Sequence, residues 1–305
     1  MHASLKPIVI VGSVTMDLVT RTPQIPRVGQ TLIGTGFHTT PGGKGANQAV
    51  AAARLGYPVA MVAKVGDDNY GPVLLKNLSG AGVQIDAMEQ VAGSSGIAAI
   101  FLADSSENSI VVVPGANGKM ERATVDAHAA VIRSAGMVLC QHEIPMETLA
   151  YTIAVCAEAG VPVMLDPAPA APLPDAAWKQ IAWFTPNESE AEFYLGDGAK
   201  ADEAAKEFLD RGLGGVVLKR GSEGAYVAVP DKAAWVPPFK VQAIDTVAAG
   251  DCFNGAFAVA LLEGRDPWQA ARFANAAAAI CVTRRGAQAA MPSRAEVDTL
   301  LAEQT

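Results

Sequence analysis

The 305-residue chain is short of aromatic rings, of paired cysteines and of positive charge. Phe, Trp and Tyr supply only 6% of it, so a wall of stacked rings has few residues to draw on. The four cysteines, Cys140, Cys156, Cys252 and Cys281, contain no C-x-x-C pair, which suggests neither a zinc site nor a redox pair. A reducing cytoplasm is the simplest expectation. The net charge of −8 disfavours a nucleic-acid partner, which would call for a basic patch. It leaves small anions open, because backbone amides can bind them locally. No segment approaches the roughly 20 apolar residues of a membrane span, so no membrane partner is expected. The run 8–11 is too short for a leader, ends in Gly12 and reads as a buried strand. His2, His38, His128 and His142 lack metal-ligand spacing. No G-x-G-x-x-G follows the first strand, which counts against a dinucleotide-dependent oxidoreductase, and no repeat or low-complexity tract appears.

What is present is a soluble composition, 50% hydrophobic and 18% charged, on a chain long enough for a sizeable core. Continuous apolar runs predict interior strands at 7–14, 59–65, 137–140, 161–165, 183–185 and 216–219, with a hairpin partner at 225–229 and a further strand at 239–244. Helical patterns fall between them, at 48–55, 71–80, 121–134 and 146–159, and close the chain at 251–263, 267–283 and 293–303. The alternation predicts an α/β fold with a doubly wound, mostly parallel sheet and helices on both faces. The Pro- and Gly-rich stretch 16–37 and the two strands at 97–113 read instead as a small exposed β flap. Ligands of such sheets gather at the carboxyl ends of the strands. Glu143, Asn187 and the loop 219–224 each follow a predicted strand.

Two stretches stand out. Asp245-Thr246-Val247-Ala248-Ala249-Gly250-Asp251 runs into an apolar helix, with Asp251 at or near the N-cap. The first amides of that helix have no internal partners, and no side chain at Ala248, Ala249 or Gly250 screens them from a ligand. On the residues alone, Asp251 is either a simple helix cap or the acid beside an anion cradle for a phosphoryl group. A carboxylate there is expected to be held ionised by the helix dipole. Pro41-Gly42-Gly43-Lys44-Gly45-Ala46-Asn47 enters a second helix, where glycines permit close approach and Lys44 and Asn47 offer donors. It lacks Walker A spacing, and a plain glycine turn is the alternative.

Taken together, residues 42–49 and 245–251 resemble the two signatures of the PfkB-type sugar kinases. Gly12-Ser13-Val14-Thr15-Met16-Asp17, Thr185-Pro186-Asn187-Glu188 and the run 282–288 narrow the resemblance to the ribokinase group. It spans residues 8–298. It implies a ribokinase-like single α/β domain over 1–305, with a β lid inserted from about 16–40 and 97–113 that also makes a homodimer. It implies transfer of the ATP γ-phosphate to O5 of D-ribose, with Mg²⁺ and an activating K⁺. Asp251 falls on the catalytic base, and Ala248, Ala249 and Gly250 on the anion hole. Thr15, Asp17, Gly43, Lys44, Asn47 and Glu143 fall on sugar-binding positions, with Thr15 where many members carry Asn. Asn187, Lys219, Gly221, Ser222, Gly224, Gly250 and Asn275 fall on nucleotide positions, and Glu190 on the acid associated with Mg²⁺ and phosphate. Asp245, Val247, Cys281, Arg284, Gly286 and Ala290 fall around the monovalent-cation site. Ala248 stands where Gly is commoner, Cys252 where Thr is commoner, and Arg220 where an apolar residue is usual. Acceptors that remain open are 2-deoxyribose, a keto-sugar acid or a nucleoside; a noncatalytic sugar sensor is the rival class.

Overall fold

The run Ile8–Val11 forms the first strand, and its alternation divides the molecule: Ile8 and Ile10 face one apolar core, Val9 and Val11 the other. A strand covered on both faces has no polar side, which is why the run is continuous. The computed structural model describes residues 5–105 and 107–304; His2 lies outside them. In chain order the strands are β1 (Ile8–Val11), β2 (Thr15–Thr22), β3 (Gly36–Gly42), β4 (Val59–Gly66), β5 (Val83–Gln84), β6 (Met88–Val91) and β7 (Gly96–Ala103). They continue with β8 (Asn108–Val113), β9 (Met137–Gln141), β10 (Val163–Asp166), β11 (Trp183–Phe184), β12 (Val216–Lys219), β13 (Ala225–Val229) and β14 (Lys232–Val236).

The main sheet runs β14-β13-β12-β11-β10-β9-β1-β4-β5, with β6 also paired to β4. It is parallel from β12 to β5, and β13 and β14 add an antiparallel edge. One face is covered by the helices Lys44–Arg54, Ala249–Leu262 and Pro267–Val282, the other by Met146–Glu158 and Ala201–Asp210. A four-stranded sheet, β3-β2-β7-β8, stands apart as the lid. Its root is fixed where Thr15 pairs with both Gly42 and Gly96. The doubly wound fold and the separate β flap therefore match the reading of the sequence.

Several local expectations fail. Residues 239–244 form no strand, because Pro237 and Pro238 lack the N–H groups that would carry pairing beyond β14. The helix expected over 121–134 is two, Arg122–Ala127 and Ala129–Ser134, parted at His128, whose Nε2 lies 3.1 Å from Glu89. The helix carrying Asp251 begins earlier than expected, at Ala249. Its cap is Ala248 rather than Asp251, which sits within the first turn. Ala248 has φ 58°, a left-handed conformation that strains any residue with a Cβ by about 1–2 kcal/mol.

Gly255 sets how closely that helix approaches Lys44–Arg54. A Cβ at Gly255 would lie 2.8 Å from both Ala51 Cβ and the Gln48 carbonyl. Gly255→Val is expected to cost about 1–3 kcal/mol by overpacking, read as a lower urea midpoint with unchanged slope. A wild-type midpoint would mean the two helices are not held at this spacing.

Candidate active site

The site gathers where β1, β9, β10, β11 and β12 end. At the root of the lid, Gly43 has φ 92°, and a Cβ on it would sit 2.8 Å from the Thr15 amide. Glycine lets the helix Lys44–Arg54 start directly against the backbone that leaves β1. Glu143, just past β9, anchors that start. Its Oε2 accepts from the Lys44 amide at 2.9 Å and from the Ser13 hydroxyl, whose oxygen accepts from the Gly45 amide at 3.2 Å. Asp17 Oδ1 accepts from Thr15 Oγ1 at 2.8 Å. Burial pushes the Asp17 carboxyl up to about 6, against the Thr15 bond and with help from Glu143. Burial would lower the Lys44 ammonium, but Asp251, Asp166, Glu143 and Glu190 surround it and hold its pKa above the usual value.

Asp251 is 6% exposed. Both its oxygens accept from side-chain amides of the facing helix: Oδ2 from Asn47 Nδ2 at 2.9 Å, Oδ1 from Gln48 Nε2 at 3.2 Å. Burial nevertheless raises its pKa to about 6, with Lys44, Asn47 and Gln48 opposing and Asp166 adding to the rise. The expectation of a carboxyl kept weakly basic by the helix dipole is thus corrected in direction, while a pKa of about 6 still leaves the group ionised at neutral pH. Desolvation outweighs the dipole once the group leaves water. The amides of Ala249 and Cys252 bond to the carbonyls of Thr246 and Ala248. Among the described residues no backbone carbonyl takes up those of Gly250 and Asp251, which leaves a pair of donors for an anion.

Gln48 Nε2 also donates to Asp166 Oδ2 at 3.0 Å, and Asp166 Oδ1 pairs with Lys219 Nζ at 2.8 Å. A Cβ on Gly250 would lie 3.4 Å from that ammonium, so Lys219 stands beside the free amides. Asn187 and Glu190 form a capping box on the helix Glu188–Leu195. The Glu190 carboxylate accepts from the Asn187 amide at 2.8 Å and from its side chain at 2.9 Å. Burial raises the Glu190 pKa, Lys219 opposes it and Asp166 reinforces it. Arg220 pairs with Glu188 at 2.9 Å and Glu223 at 3.4 Å, which ties the loop after β12 to that helix. Within this loop Gly221 and Gly224 both have positive φ, and Ser222 is exposed. Asn275 spends its NH₂ group on the carbonyls of Val236 and Pro237, so it holds the segment after β14.

The residues of the expected cation site also converge. Asp245 accepts from the amides of Val247 at 3.0 Å and Gly286 at 2.9 Å, joining the two loops. Cys281 and Ala290 are buried beneath them, and the Arg284 guanidinium is engaged by Glu296.

Sequence reasoning missed Ser13, Gln48, Asp166 and Gln288. Gln48 had a visible signal, a polar residue inside an alanine-rich helix; Asp166 had another, an acid at the end of an apolar strand.

The raised Asp251 pKa has a stability consequence. The unfolded carboxyl titrates near 3.8 and the folded one near 6. Native protein therefore binds the proton more tightly, and stability falls as pH rises through this window. Asp251→Asn is expected to be more stable than wild type at pH 8, by on the order of 1–3 kcal/mol, with the gain gone below about pH 4. A variant less stable at pH 8 would mean that Asn47, Gln48 and Lys44 more than compensate the buried charge.

Comparison with known proteins agrees with this geometry. The model of the pfkB family of carbohydrate kinases matches residues 5–294. A ribokinase of Bacillus subtilis (strain 168) is 46% identical over 302 residues, covering 97% of this chain and all of that protein. A deoxyribokinase of Salmonella typhi is 37% identical, covering 94% of this chain and 95% of its own length. The structure of Arabidopsis thaliana ribokinase complexed with ribose and ATP superposes with a TM-score of 0.92 at 34% identity, over 97% of this chain and 98% of that one. The chain belongs to the pfkB family of carbohydrate kinases.

Proposed function

We propose that the chain is a ribokinase that transfers the γ-phosphoryl group of ATP to O5 of D-ribose, with Asp251 as base. The likeness to ribokinases over nearly the whole chain supports the reaction. One observation carries the mechanism: a buried carboxylate with both oxygens fixed, beside two uncommitted amides at a helix N-terminus. Asp251 orients the sugar hydroxyl and accepts its proton as the new O5–P bond forms. The bond from the γ-phosphorus to the bridging oxygen breaks, and ADP leaves. Phosphoryl transfer has a loose transition state, so positioning and charge stabilisation supply most of the catalysis. The Gly250 and Asp251 amides and the Lys219 ammonium supply that charge.

The lid root is the sugar side: Thr15, Asp17, Gly43, Lys44, Asn47 and Glu143 offer acceptors and donors suited to hydroxyl groups. The loop 219–224, with Asn187, is the nucleotide side. Glu190 and Asp166 offer the oxygen donors that a hard divalent cation prefers. Mg²⁺ carried with ATP would neutralise charge on the transferring phosphate. A monovalent cation suits the loops joined by Asp245 and Gly286, because their remaining donors are backbone carbonyls, as K⁺ prefers. Among the described residues no group of three His, Cys, Asp or Glu side chains could hold a metal ion.

A homodimer through the lid is supported by an exposed apolar row on β8, where Ile110, Val111, Val112 and Val113 are each about half exposed. Among the described residues no helix is long and apolar enough to cross a membrane. A cytoplasmic enzyme acting as one domain fits these features. The resemblance to a deoxyribokinase keeps 2-deoxyribose as the second acceptor. Thr15 favours that question, since its hydroxyl is spent on Asp17.

The test is ADP release from MgATP with ribose, 2-deoxyribose, fructose, 2-keto-3-deoxygluconate or adenosine, each with and without K⁺. Ribose-dependent turnover that rises with K⁺ is expected. Preference for another acceptor would leave the phosphoryl chemistry intact and overturn the reading of the sugar pocket. No turnover with any of them would overturn the assignment as a kinase of these acceptors.

A further inference from the structure

The amides that hold Asp251 continue beyond Asn47. Gln288 Nε2 donates to Asn47 Oδ1 at 3.1 Å, and Asn77 Nδ2 donates to Gln288 Oε1 at 2.5 Å. With Asn47 Nδ2 on Asp251 Oδ2 at 2.9 Å, three side-chain amides stand head to tail. They come from distant parts of the chain: the helix Gly71–Gly80, the turn Gln288–Ala290 and the helix Lys44–Arg54. Gln288 is 5% exposed and Asn47 6%, so bulk water does not substitute for any link between them.

The direction of the chain follows from its end. An ionised carboxylate only accepts, so Asn47 must turn its NH₂ group to Asp251. Its carbonyl oxygen then faces Gln288, which must present its own NH₂ group. That leaves Gln288 Oε1 as the acceptor for Asn77. All the dipoles point the same way and strengthen one another in a low-dielectric interior. Without the Gln288 donor, Asn47 Oδ1 would be buried and unpaired. Such an orphan costs about 1–3 kcal/mol, and Asn47 would relieve it only by turning away from Asp251.

We propose that Gln288 is a positioning residue for phosphoryl transfer, acting through Asn47 to fix the donor that holds the Asp251 carboxylate, while Asn77 fixes Gln288. The inference rests on Asp251 being the base. It gives the turn after Gly286, whose amide is held by Asp245, a polar route to the reacting centre.

Gln288→Met keeps the length of the side chain and removes both hydrogen bonds. In the full-length protein kcat for ribose is expected to fall about tenfold, the equivalent of one hydrogen bond. The ribose KM is expected to stay within about twofold, because the sugar contacts are intact. The acidic limb of the kcat–pH profile should move up by about half a pH unit, because a donor to the ionised form is lost. Asn77→Ala, at the half-buried far end, should act in the same direction at about threefold, and should add little in the Gln288→Met background. A lower kcat with an unmoved acidic limb would overturn the proposal, and so would a raised KM with unchanged kcat. If Gln288→Met does not fold, Asn77→Ala decides on the same readouts. Near-normal turnover of Asp251→Asn would remove the base reading beneath the proposal. An inactive Asp251→Asn with an unmoved Gln288→Met profile would remove the relay alone.

Discussion

The structure depends on one interaction: the buried carboxylate of Asp251 held by two consecutive side-chain amides, Asn47 and Gln48, of a helix some two hundred residues earlier. The two helices have to meet closely for these bonds to form. Gly255 permits the approach, and the alanine-rich flank of Lys44–Arg54 gives it a smooth surface. Each helix is placed by another constraint. Lys44–Arg54 is set by Gly43, Gly45 and the Ser13–Glu143 anchor, which pin its first turn to the end of β1. Ala249–Leu262 is set by the left-handed Ala248 and by Asp245, which ties the preceding loop to Gly286. The left-handed turn at Ala248 directs the chain into a helix whose Gly250 and Asp251 amides stay uncommitted.

Charge in the site is balanced on the same plan. Asp251, Asp166, Glu190 and Glu143 crowd around Lys44, and Lys219 bridges to Asp166. Burial raises the pKa values of Asp251, Asp17 and Glu190, so the protein alone places more negative charge here than the site favours. A carboxyl poised near neutrality is better suited to take a proton than an ordinary surface acid. The same crowding favours positive charge, which Lys44 and Lys219 supply in part. Stability at this centre is given up for chemistry, a common pattern at catalytic sites.

Much of this was legible in the sequence. Continuous apolar strands alternating with helices fixed a parallel sheet, and the Pro- and Gly-rich stretch marked a flap outside it. The uncommitted amides of Gly250 and Asp251 were legible because three small residues before an acid leave no large side chain over a helix start. What escaped was long-range. Nothing local to Gln288 connects it with Asn47, and nothing local to Gln48 says that its amide is shared between Asp166 and Asp251. The direction of the Asp251 pKa shift was misjudged for the same reason. The dipole is a property of the helix alone, whereas desolvation depends on what packs over it. The missing strand at 239–244 has a simpler origin, since a prolyl pair outranks a β-rich pattern.

The most direct measurement is single-turnover phosphoryl transfer from MgATP to ribose by Asp251→Asn, made beside calorimetric ribose binding on the same preparation. Loss of a buried base should slow transfer by at least about 10²-fold, while ribose affinity stays within about threefold. Transfer at the wild-type rate, or a loss explained wholly by failure to bind ribose, would contradict a base at Asp251.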